Sequence, residues 1–166
     1  MRYFLALFFV TWSLAPQKSA IQQVREQFFQ VCDKKKDLAS WASELKEYEN
    51  SNYLIIAYKG VASAMYAEIA SGVYSKLKYF STGTKMLDRV IEKFPEDIEP
   101  RFLRLTIQKN APGFLNYNDN IEEDKNKIIS GFSEAKTNKA SPILMSNIKK
   151  YLTENKLCSE KELKNL

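Results

Sequence analysis

Apolar residues in this chain recur at steps of three and four and nowhere alternate with period two long enough to make a strand, which predicts an all-α protein. Ile21, Val24, Phe28 and Cys32 share one face of a helix expected over Ala20 to Cys32, capped by Ser19 and ended by the polar run Asp33 to Asp37. Leu38, Trp41, Leu45 and Tyr48 mark a second helix that stops before Asn52. The stretch Asn52 to Ser71 differs from both: between Leu54 and Ala70 its only charged residues are Lys59 and Glu68. A helix apolar on nearly every face is expected to be sheathed by its neighbours. It carries a small stripe (Ala57, Gly60, Ala64, Ala67) and a large one (Leu54, Tyr58, Val61, Met65, Ile69), and Gly72 is expected to close it.

From Ser75 a fourth helix shows Leu77, Phe80, Thr84, Leu87, Ile91 and Phe94 on one stripe, with lysines outward, and Pro95 ends it. Asp97 caps a fifth helix with Pro100 in its first turn, where a missing amide costs nothing. Its inward residues are Ile98, Phe102 and Leu105, while Arg101, Arg104 and Gln108 share another stripe. After a loop from Asn110, Asn120 and Glu123 approximate a capping box for a sixth helix carrying Ile121, Ile128, Phe132 and Ala135. Ser141-Pro142 opens a seventh, with Leu144, Met145, Ile148, Tyr151 and Leu152 inward, and Ser159 to Glu162 caps a short terminal turn. About seven helices joined by short polar turns predict antiparallel αα-hairpins stacked side by side as a single domain over residues 21–166.

The N-terminus changes the picture of where the protein works. Arg2 precedes an apolar run from Tyr3 to Ala15, too short to span a bilayer and long enough for the core of a signal peptide, with cleavage expected between Ala15 and Ala20. Residues 1–20 are therefore expected to be removed, leaving an exported chain without an integral membrane segment. The formal charge of +5 falls to +3 once Arg2 and Lys18 go with them, too small and scattered an excess to predict nucleic-acid binding. In an oxidising compartment Cys32 and Cys158 can pair or stand as two free thiols.

Histidine is absent, which removes the commonest general base, and two cysteines cannot assemble a thiolate zinc site. No cofactor is expected, and no catalytic set is recognisable. Asn116, Asn118 and Asn120 are spaced like calcium-loop ligands, but Ile121 stands where such a loop needs glycine and Lys127 where it needs glutamate. The most unusual constellation is Arg101, Arg104, Gln108, Phe114, Tyr117 and Glu123. Two readings of it stay open. Two guanidiniums beside exposed aromatics can bind a carboxylate, a phosphate or a partner's acidic tail. Alternatively, the arginines pair with Glu122, Glu123 or Asp124 where the chain reverses, and Phe114 and Tyr117 plug the open end of the hairpin.

Small residues around Gly60, then Gly83, Leu87 and Val90 before Pro95, make the second hairpin resemble a degenerate tetratricopeptide unit with an extended turn over Ser71 to Tyr74. Through Tyr58-Lys59-Gly60, Lys78-Tyr79-Phe80, Arg101 to Arg104, Asn110 with Pro112, Phe114 to Tyr117 and Asn120 to Lys125, the chain is also similar to an uncharacterised family of exported bacterial helical proteins. That resemblance implies an envelope protein, periplasmic or extracellular, of a Gram-negative bacterium, and carries no activity with it. The expected function is a non-enzymatic helical-repeat protein that binds another envelope protein or peptide. The alternative is a small-ligand or lipid carrier whose cavity is rimmed by Arg101 and Arg104.

Overall fold

A computed structural model describes residues 18–138, 140–164 and 166, and every regular element among them is helical. The expected export signal falls almost wholly on residues 1–17, outside those described. The helices are α1 (Ala20–Cys32), α2 (Leu38–Glu47), α3 (Tyr53–Tyr66), α4 (Val73–Lys93), α5 (Ile98–Asn110), α6 (Ile121–Thr137), α7 (Pro142–Glu154) and the single turn α8 (Glu160–Leu163). A 3-10 turn, Gly113–Leu115, lies between α5 and α6.

Local chemistry sets most boundaries. Ser19 with Gln22, and Ser159 with Glu162, form complete capping boxes. Asp37, Asn52 and Asp97 each accept a first-turn amide, the last from Glu99 at 2.9 Å. Asn120 departs from the expected box, since it makes no cap bond and instead donates from Nδ2 to Glu123 Oε2 at 3.3 Å. α3 ends five residues earlier than its apolar run. From Ala67 its bonds tighten to the i−3 pattern, with Glu68 donating to Met65 and Ile69 to Tyr66, and Ile69 is half exposed. Gly72, at φ 79°, begins α4 rather than closing α3.

The hairpins α1/α2, α3/α4 and α5/α6 pack in sequence, α3 lies against both α2 and α5, and α7 returns to touch α1 and α6. The hairpin α3/α4 is the tightest pairing, because Gly60 and Gly83 face each other across it. A Cβ on Gly83 would stand 2.3 Å from the Gly60 carbonyl oxygen and 2.5 Å from the Ala64 amide. Phe28, Trp41 and Tyr58 meet at the centre, with Phe28 5.9 Å from Trp41 and 5.5 Å from Tyr58 between ring centroids.

The sheathed centre is shared. α3 buries Leu54, Ile55, Ala57, Tyr58, Gly60, Val61, Ala62 and Ala64, as its composition predicts. α5 is buried all round as well, including Glu99, Arg101, Arg104 and Gln108. Glu99 ties three helices: Arg25 of α1 donates to it twice, at 2.7 and 2.6 Å, and Tyr58 of α3 donates at 2.9 Å. α4, by contrast, is fully buried only from Gly83 onward, with Phe80 partly buried before it. In its first half Val73, Tyr74, Leu77 and Tyr79 face solvent, and at its C-terminal end Phe94 is partly exposed and stacked on Tyr53 at 3.8 Å.

Candidate functional site

The arginine stripe of α5 faces inward, onto the first turn of α6. Arg104 grips Asp124 with two parallel bonds, Nε to Oδ2 at 2.7 Å and Nη2 to Oδ1 at 2.8 Å, and its Nη1 donates to Asp88 of α4 at 3.1 Å. Arg101 donates from Nη1 to Asp124 and Glu123, each at 2.9 Å, and from Nε to the Pro95 carbonyl at 2.7 Å. Asp124 is fully buried, and the two arginines are 4% and 7% exposed. Tyr117 completes the network by donating to Asp88 at 2.9 Å, and its ring stands edge-on to Phe80.

Electrostatics follow from that geometry. Burial alone would lower Arg104, but Asp124 and then Asp88 outweigh it and hold the guanidinium above its ordinary value. Burial first, then the Asp88 carboxylate, holds the Tyr117 phenol well above its usual range. The Arg101 bond holds the Glu123 carboxyl below the usual glutamate range.

Of the two readings left open for Arg101, Arg104, Tyr117 and Glu123, these contacts are those of the internal pairing. Their donors and acceptors are used inside the fold, where they clasp α4, α5 and α6 together. Glu122 stays outside the clasp and pairs with Lys125. Gln108 is buried with neither side-chain polar atom bonded. Of the expected set Phe114 is the most exposed, at 79% on the 3-10 turn, and the Glu123 side chain is also open to solvent at 55%. Cys32 and Cys158 are free thiols, so the disulfide alternative is not formed. Although the residue is exposed, desolvation of the thiol and the neighbouring Asp33 push Cys32 up to about 11.

A broad recess lies elsewhere. A trough of about 930 Å³ is lined by the last turns of α1, α3 and α5, the α1–α2 turn and the C-terminal half of α7. Its apolar lining includes Phe28, Phe29, Met65, Phe102 and Ile107. Lys34, Lys35, Lys36 and Lys150 line it together with Asp33, Asp37, Glu68 and Glu154, so its ionic lining is balanced in sign. Lys35 pairs with Asp33 and Lys36 with Glu44. Tyr151 packs edge-on against Phe102, and its hydroxyl is buried. Sequence periodicity did not pick out this trough, because its walls come from four helices far apart in the chain and its apolar residues read as ordinary core.

No protein family, no characterised protein and no solved structure matched this chain in comparison. No group of three or more potential metal ligands occurs among the described residues, and none of their helices is long and apolar enough to cross a membrane.

Proposed function

We propose that this chain is a non-enzymatic, exported helical module that binds a peptide segment of another envelope protein in the trough where α1, α3, α5 and α7 converge. The observation that carries the reading is the trough's lining. An apolar floor with charges of both signs suits a chain that offers apolar side chains and mixed charge. The lipid-carrier alternative loses its rim, since Arg101 and Arg104 lie in the internal clasp.

Peptides selected from a random library on the purified protein test this. Asn147→Trp narrows the trough and Lys150→Glu reverses one of its charges, and both should weaken the selected peptides at least tenfold. Arg89→Glu, on the outer face of α4, should leave them unchanged. Equal binding to all variants would sink the trough reading. A co-purifying lipid detected by native mass spectrometry would revive the carrier.

A further inference from the structure

The wall that α7 gives the trough carries a row of polar side chains whose own bonding fixes what they can still accept. Asn147, Tyr151 and Asn155 follow one another at steps of four, so they lie along one face of α7, each about 6 Å from the next along the axis. All three line the trough, as does Asn110 at the end of α5. Each asparagine donates from Nδ2 to the carbonyl four residues back: Asn147 to Ile143 at 2.7 Å, Asn155 to Tyr151 at 2.9 Å and Asn110 to Thr106 at 2.8 Å. Those bonds hold the three amide planes and turn each Oδ1 away from its parent helix. Among the described residues none of these Oδ1 atoms accepts a bond. Burial raises the Tyr151 phenol and the neighbouring Asn110 side chain opposes it, which sets Asn110 across from the middle of the row.

Three neutral acceptors held in place select a donor rather than a charge. The ionised residues of the trough balance in sign and add no net preference. A polypeptide carries donors at regular intervals, and in an extended chain the N–H groups of alternate residues point to one side, recurring about every 6.6 Å. That repeat is close to the step along α7. A helical occupant spends its N–H groups on its own carbonyls, and a lipid tail has none.

We propose that the trough's occupant is an extended peptide running along α7, held by alternate backbone N–H groups that donate to the amide oxygens of Asn147, Asn110 and Asn155. This rests on the trough reading and specifies it: the main chain carries the recognition, while the apolar floor accepts side chains of varied sequence.

The probe is the tightest peptide selected on the purified protein, remade as a series in which one backbone amide at a time becomes an ester, which removes the N–H and keeps the shape of the chain. Wild type should lose about three- to tenfold in affinity at alternate positions and nothing between them. Asn147→Ala and Asn155→Ala, each checked by circular dichroism, should weaken the parent peptide by a similar factor. In each variant the ester at the matching position should then cost nothing further, and the two matching positions should lie four residues apart. A merely structural role for the asparagines would weaken parent and ester peptides alike. For peptides that Asn147→Trp weakens, esters without effect, ester losses that persist in both alanine variants, or a helical bound peptide would overturn the extended mode alone. Peptides indifferent to Asn147→Trp would remove the trough reading, and this proposal with it.

Discussion

Replacing Gly83 by alanine sets two physical effects against each other with opposite signs. Helix propensity alone favours the change by about 1 kcal/mol, because glycine is the poorest ordinary residue inside a helix. Packing opposes it. The new Cβ would lie 2.3 Å from the Gly60 oxygen, 2.5 Å from the Ala64 nitrogen and 3.0 Å from the Ala64 Cα, all backbone atoms that cannot rotate aside. Restoring ordinary contact requires α3 and α4 to part by roughly 1 Å, and a gap of that size forfeits a quarter to a half of the dispersion energy along the seam. Overpacking of this kind costs about 3 kcal/mol or somewhat more, so the net loss is about 2 to 3 kcal/mol. For a chain of this length that lowers Tm by roughly 5 to 10 °C. Thermal unfolding followed by circular dichroism measures it, with Ser81→Ala, exposed on the same helix, as the propensity control. A Gly83→Ala protein as stable as wild type or more so would refute the close crossing.

The clasp yields a graded series in denaturant unfolding. Asp124→Ala strands two buried guanidiniums and should cost about 3 to 5 kcal/mol, while replacing Arg101, Arg104 and Asp124 together by Met, Met and Leu should cost far less or stabilise. Glu123→Gln, whose side chain is 55% exposed, should change stability by less than about 1 kcal/mol. Stability should fall as pH rises above about 10. Burial and then the Glu99 charge hold Tyr58 far above its ordinary value, and burial with Asp88 does the same to Tyr117. Both phenols stay protonated in the fold but ionise when it opens, so the unfolded state binds fewer protons and each contributes a loss of up to about 1.4 kcal/mol per pH unit. Tyr117→Phe should flatten that slope in urea melts at pH 9 to 11, and an unchanged slope would argue against its buried bond to Asp88. Val73→Ser should alter stability by less than about 0.5 kcal/mol, because Val73 is 73% exposed.

Helix periods and caps were legible in the sequence because they depend on residues a few positions apart. Ser19, Asp97 and Ser159 announce their helices, and the near-chargeless composition of α3 announces its burial. What stayed hidden depends on partners distant in the chain. Glu99 reads as an acid favoured by a helix N-terminus, and its burial is tolerable only because Arg25 and Tyr58 arrive from α1 and α3. The same holds for Arg101 and Arg104. The arginines were visible as an unusual stripe, and the turn before α6 decided that the stripe would clasp rather than bind. Leu77 continues the apolar stripe of α4 without a break, and a stripe carries no mark of where its cover ends. Burial of α5 was underestimated for the converse reason, since charged residues ordinarily signal solvent.

Hydrogen exchange with and without a library-selected peptide separates the trough from the clasp most directly. Exchange should slow over residues 106–110 and 147–155, where α5 and α7 wall the trough, and stay unchanged over 120–125 at the start of α6. Slowing confined to 101–104 and 120–125, or no slowing at all, would contradict it.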